Sequence, residues 1–121
     1  MGCRVVLVNG LLTYDSGKTY VVVALARALM DRGFRVLPFK PLAGHSAWYQ
    51  FSTVVKSLEC GVLVGEDVLK YRELLGLDVD LTLLNPVDLL LAPLSPVHFE
   101  RIGGYLEALG SQLDEVVMAR V

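Results

Sequence analysis

The stretch Ser16-Gly17-Lys18-Thr19 constrains this chain more than any other. Residues 4–8 before it form an apolar, β-branched run that reads as a strand buried on both faces. Residues 18–32 after it read as a helix, with Val22, Ala26, Leu29 and Met30 on one side and Val21, Leu25 and Ala28 beside them. A turn of this composition at a strand-to-helix junction has a definite electrostatic character. Glycine lets backbone amides turn toward one point and approach an anion closely. The helix that follows aims its positive end at the same point. Lys18 adds a full charge that can reach β- and γ-phosphates, and the Thr19 hydroxyl can ligate Mg²⁺.

The tail fits the end of the phosphate-loop pattern GxxxxGK[ST], but the head does not. A strict match needs glycine at position 12, which is Leu12, and the first glycine, Gly10, lies two residues earlier. The loop is therefore longer than the standard one. The strand before it and the helix after it carry the assignment more than the tripeptide does. On this reading Gly10, Thr13, Tyr14, Asp15, Ser16, Gly17, Lys18, Thr19 and Tyr20 contact a nucleoside triphosphate. ATP is the expected nucleotide, GTP the alternative, and Mg²⁺ the metal.

Downstream, Gly33 stops the helix and residues 35–39 read as a second strand, ended by Lys40-Pro41. Strand, helix and strand over this span make a βαβ unit. Residues 42–50 read as a loop, and residues 51–58 as a helix. Residues 66–75 read as a further helix, with Val68, Tyr71 and Leu75 on one face and Gly76 as its stop. Residues 87–92 read as a strand, because Asn85-Pro86 bars a helix just before it. Ser95-Pro96 opens a helix carrying Phe99, Ile102, Leu106 and Leu109, and residues 116–121 read as the start of another strand. The expected fold is α/β, a three-layer arrangement with a mostly parallel sheet and helices on both faces.

Composition narrows the function classes. The chain has 121 residues, 54% hydrophobic and 20% charged, which suits a core-building domain spanning residues 1–121. A net charge of −2 without a basic block gives no footprint for nucleic acid or an anionic membrane. No apolar run approaches the roughly 18 residues of a membrane span. Residues 5–8 are too short for a signal-peptide core, so a cytoplasmic protein is expected. Cys3 and Cys60 lack metal-ligand spacing and read as small buried hydrophobes. The mean hydropathy of +0.52 is high for a short domain, which implies a homo-oligomer or a missing C-terminal half.

Two further segments, taken with the loop, resemble dethiobiotin synthetase and its relatives among the P-loop proteins, which include cobyrinic acid synthases and MinD-like ATPases. Phe39-Lys40-Pro41-Leu42-Ala43-Gly44 is similar to that enzyme's Lys-Pro-[Val/Ile]-Ala-[Ser/Ala]-Gly. Asn85-Pro86 through Leu94-Ser95-Pro96-Val97-His98 is similar to its Asn-Pro…Ala-Pro-His stretch. Asp67-Val68-Leu69 sits where the family has an Asp-Ala-Leu whose aspartate binds metal. The loop itself looks closer to a group of uncharacterised archaeal predicted P-loop ATPases.

The resemblance implies that Lys18 and Thr19 bind the triphosphate and its metal. It implies that Lys40 faces the transferred phosphoryl group or a small acidic acceptor, and that Asp67 is a second metal ligand. Lys18 and Lys40 are then the catalytic lysines, and two lysines with a metal can neutralise charge as a phosphoryl group transfers. The family's loop begins Gly-Thr-Asp-Thr and is one residue shorter, and the span between Lys40 and Asp67 is longer here, with Trp48, Tyr49 and Phe51 added. Substrate identity therefore does not transfer. No Walker B acidic strand end follows before Val121, so the chain reads as the N-terminal portion of such a domain.

The expected activity is ATP hydrolysis or ATP-dependent ligation. The alternatives are a nucleotide-dependent regulatory switch, or a truncated nucleotide-binding chain without catalysis. Asp15 reads as a cap of the loop backbone. His45 and His98 read as structural or surface residues, Trp48 and Tyr49 as packing residues, and no Ser/His/Asp set stands out.

Overall fold

The computed structural model of the protein describes residues 2–11, 17–111 and 113–121. Its elements run α1 (Lys18–Met30), β1 (Leu42–Ser46), α2 (Phe51–Cys60), α3 (Glu66–Leu75), α4 (Leu81–Leu84), β2 (Val87–Pro93), a 3₁₀ turn at Pro96–His98, α5 (Ile102–Gly110) and β3 (Asp114–Arg120). The fold is α/β. Three strands lie in the order β1-β2-β3, with β1 and β2 parallel and β2 and β3 antiparallel. The sheet is thus mixed rather than mostly parallel. A register shift between Leu90 and Leu91 leaves Val117 without a partner across the ladder.

The parallel pair is joined by α2, α3 and α4. Their packing makes the core, where Val64, Val68, Leu81 and Leu84 form one buried cluster under Val62, Leu69, Leu77 and Val79. Helix α3 follows the expected apolar face, burying Val68, Tyr71 and Leu75. Gly76 ends it at φ +63°, a left-handed stop that costs glycine little. Helix α4 is short, and the Asp80 carboxylate caps it by accepting from the Thr82 amide at 2.8 Å.

Several expectations from the sequence change. Residues 4–8 form no strand, and Arg4 to Leu7 are solvent-exposed, with Val5 86% exposed. Residues 35–39 form none either. Pro38 has no N–H to give to a ladder, and no neighbouring strand pairs with either run among the described residues. The expected βαβ unit around α1 is therefore absent here, and α1 buries only Ala26.

The strand instead falls at Leu42–Ser46, in the expected loop. Ala43, Gly44 and Ser46 have weak strand preference, but the ladder to β2 and the burial of Ala43 and His45 outweigh it. A Cβ on Gly44 would come into ordinary contact with Leu91, and one on Gly65 with Ala43 and Asp88. The helix expected from Pro96 splits into the 3₁₀ turn and α5. Phe99 is extended between them, and its ring lies 5.4 Å from that of Tyr105.

Candidate functional site

Helix α1 opens on a left-handed glycine. Gly17 precedes Lys18 at φ +74°, a backbone conformation in which any other residue would be strained. The Val21 amide donates to the Gly17 carbonyl at 3.1 Å and closes the first turn. Among the described residues no side chain caps the helix. Lys18 and Thr19 are partly exposed, and Gly10 is exposed. Thr13, Tyr14, Asp15 and Ser16 lie outside the described residues.

Asp67 meets two residues from distant segments. The Thr19 hydroxyl donates to Asp67 Oδ1, and the Lys40 ammonium donates to Asp67 Oδ2. Asp67 stands in the first turn of α3, where the helix dipole favours a carboxylate. Burial opposes its ionisation. The hydrogen bonds from Lys40 and Thr19, with the charges of Lys40 and Lys70, outweigh that and hold its carboxyl below the usual range. The Lys40–Asp67 pair is about one-third exposed on each side, so solvent screens it, and it is worth about 1 kcal/mol or less to stability.

Lys40 differs from expectation in its setting. It precedes β1 and so lies at the entrance of the parallel pair, because the strand expected at residues 35–39 is not formed. Its carbonyl and amide are nonetheless fixed. Asn85 Nδ2 donates to the Lys40 carbonyl at 2.8 Å, and the Lys40 amide donates to the Leu84 carbonyl at 2.8 Å.

The donors suit a hard cation. Asp67 and Thr19 supply a carboxylate and a hydroxyl oxygen side by side, and a cationic group already rests against the carboxylate. Among the described residues no group of three or more His, Cys, Asp or Glu is placed to hold a metal ion. A Mg²⁺ ion here would therefore keep several waters and take phosphate oxygens, as this ion commonly does. Helix α1 is tied to α3 at two more points. The Lys70 ammonium lies 5.3 Å from the centre of the Tyr20 ring, and Arg27 donates to the Leu74 carbonyl at 3.0 Å. Tyr20 is 60% exposed.

A second polar group lies inside the molecule. His45 Nδ1 is 2.5 Å from Thr53 Oγ1, and His45 Nε2 is 3.0 Å from Asp88 Oδ1. All three side chains are buried, with Asp88 fully so. The His45–Asp88 contact is close but poorly aligned for a hydrogen bond. The order of groups is that of a nucleophile, base and orienting acid. Thr53 is too deeply buried to meet a substrate, and its hydroxyl also donates to the Gln50 carbonyl at 2.7 Å. The set joins α2 to β1 and β2.

His45 thus has partners that sequence spacing did not reveal. The available signal was Asp88, a charge inside the apolar strand Val87–Pro93, and Arg120 at the end of another. Trp48 and Tyr49 are exposed at the turn after β1, where their amides each donate to Ser46 Oγ at 3.2 Å. Cys3 and Cys60 are exposed thiols rather than buried hydrophobes.

No family model, curated protein or solved structure matches this chain. Among the described residues no helix is long and apolar enough to cross a membrane.

Proposed function

We propose that the chain is a P-loop protein that binds Mg²⁺ with a nucleoside triphosphate, ATP in the first instance, and hydrolyses it or uses it in ligation. The observation carrying this reading is the meeting of Thr19, Lys40 and Asp67. The three come from separate segments, and Thr19 and Lys40 meet at the Asp67 carboxylate.

The residues divide the work by their chemistry. Gly17 and the first-turn amides of α1 bind phosphate, and Lys18 neutralises its charge. Thr19 and Asp67 are the residues that would hold Mg²⁺. The metal when bound supplies Lewis-acid stabilisation of the phosphoryl oxygens. Lys40 stands against Asp67 and can turn its ammonium toward the phosphoryl group or an acidic acceptor, holding charge rather than moving a proton.

Calorimetric titration of Mg·ATP and Mg·GTP tests the reading, with Lys18→Ala as control. The substitution should weaken binding about tenfold to a hundredfold, the worth of one charge-assisted contact. Equal binding by both proteins, or none by either, would overturn it.

A further inference from the structure

The geometry points to Arg120 as a positioning residue that sets the Lys40–Asp67 pair from behind, an inference that rests on the metal-binding role proposed for that pair. Arg120 ends β3 and lies opposite Asp88. Its guanidinium splits between the two segments that carry the pair.

One arm reaches Lys40. Arg120 Nη2 donates to Asn85 Oδ1 at 3.0 Å, and Nη1 donates to the Asn85 carbonyl at 2.8 Å and the Pro86 carbonyl at 3.1 Å. Asn85 is fully buried, so these bonds leave its amide one orientation. In that orientation Nδ2 donates to the carbonyls of Lys40 and Val87, both at 2.8 Å. The backbone of Lys40 is thereby fixed from a residue 45 positions away.

The other arm reaches Asp67. Arg120 Nε donates to the Leu63 carbonyl at 2.9 Å. Leu63 begins the short link Leu63-Val64-Gly65 that enters α3, and Asp67 is the second residue of that helix. The Val64 amide donates to Ser57 Oγ at 3.0 Å and holds the same link from its other side. The charge of Arg120 is balanced by Asp88, whose Oδ2 lies 3.9 Å from Nη2. One planar cation therefore sets the relative position of Lys40 and Asp67 without touching either. A lysine cannot reproduce this fork, since its ammonium is a single point of donation.

Arg120→Lys keeps the charge beside Asp88 and removes the fork. The test compares ATP affinity with Mg²⁺ and with EDTA. In the parent protein Mg²⁺ should tighten ATP binding by about tenfold or more. In R120K the metal-free affinity should stay within about twofold, while the gain from Mg²⁺ falls below about threefold. A general loss of structure would lower both affinities, so the selective loss marks positioning. A folded R120K with an undiminished Mg²⁺ gain overturns the inference.

A second measurement needs no nucleotide. The coupling between Lys40→Met and Asp67→Asn, read as the non-additive shift in urea midpoint, should be present in the parent and lost in R120K. Its persistence in R120K overturns the inference, whatever the protein binds. Failure of the parent to bind ATP overturns the proposed function instead. If R120K does not fold, Asn85→Ala, which frees only the Lys40 arm, takes the same two measurements with the same outcomes.

Discussion

Residues 62–90 and residues 4–39 spend similar apolar content in opposite ways. The first bury Val64, Val68, Leu81 and Leu84 in one cluster. The second leave Val5, Val6, Leu7, Phe34, Leu37 and Phe39 in water, and α1 between them touches the rest mainly through α3. The difference is one of pairing rather than hydrophobicity. Strand β2 has a neighbour on each side, so its backbone is satisfied and its side chains can be covered. The runs beside α1 have no ladder partner among the described residues. Stability therefore resides in the first region, and the proposed nucleotide chemistry in the junction between the two.

The contrast breaks most visibly in the buried polar set. Asp88→Ala should destabilise by about 3–5 kcal/mol, because it removes the buried carboxylate that faces both His45 and the half-buried Arg120. Urea denaturation measures it, and a cost below about 1 kcal/mol would remove the set from the account of the core. Leu84→Ala, at a fully buried site, should cost about 3 kcal/mol, whereas Leu7→Ala should cost less than about 0.5 kcal/mol. Equal costs would mean that the N-terminal run is packed after all.

Alkaline pH sharpens the same comparison. Tyr71 lies in the core, and burial, with a smaller contribution from the Asp67 charge, pushes its phenol up to about 12. The unfolded chain ionises at the ordinary tyrosine value of about 10 while the folded chain resists. Stability should therefore fall as pH rises from that value toward 12, and Tyr71→Phe should flatten the slope. An unchanged slope would place the tyrosine in contact with solvent.

Acid gives the smaller, opposite effect. The folded Asp67 carboxyl is held below its unfolded value, so its contribution is present above the ordinary aspartate range and is lost as pH falls through it. Asp67→Asn should remove about 1 kcal/mol or less of that dependence, since the pair is screened. Amide exchange should rank the regions too, with α3 protected more strongly than α1.

The legible parts of the fold were those where local and long-range preference agree. Helix Glu66–Leu75 has its apolar stripe, its first-turn acids and its glycine stop in one place, and forms as read. Thr19, Lys40 and Asp67 were legible as a set only through resemblance, and they do meet. Strand β1 was hidden because Ala43, Gly44 and Ser46 signal a loop by propensity, and only pairing with β2 makes them a strand. Asn85, Asp88 and Arg120 were hidden for a related reason. Their roles are set by which residues face each other across a ladder, and sequence order does not state that.

The bulge at Val117 acts as a phase setter. A strand alternates its sides with every residue, so an added residue on one strand reverses the parity of everything beyond it. Arg120 lies on the far side of that reversal from the entry of β3 at Asp114. Deleting Val117 while Asp114 keeps its partner would point the guanidinium to the opposite face, away from Asp88 and Leu63. This short stretch should therefore tolerate exchanges of one side chain for another far better than any change of length.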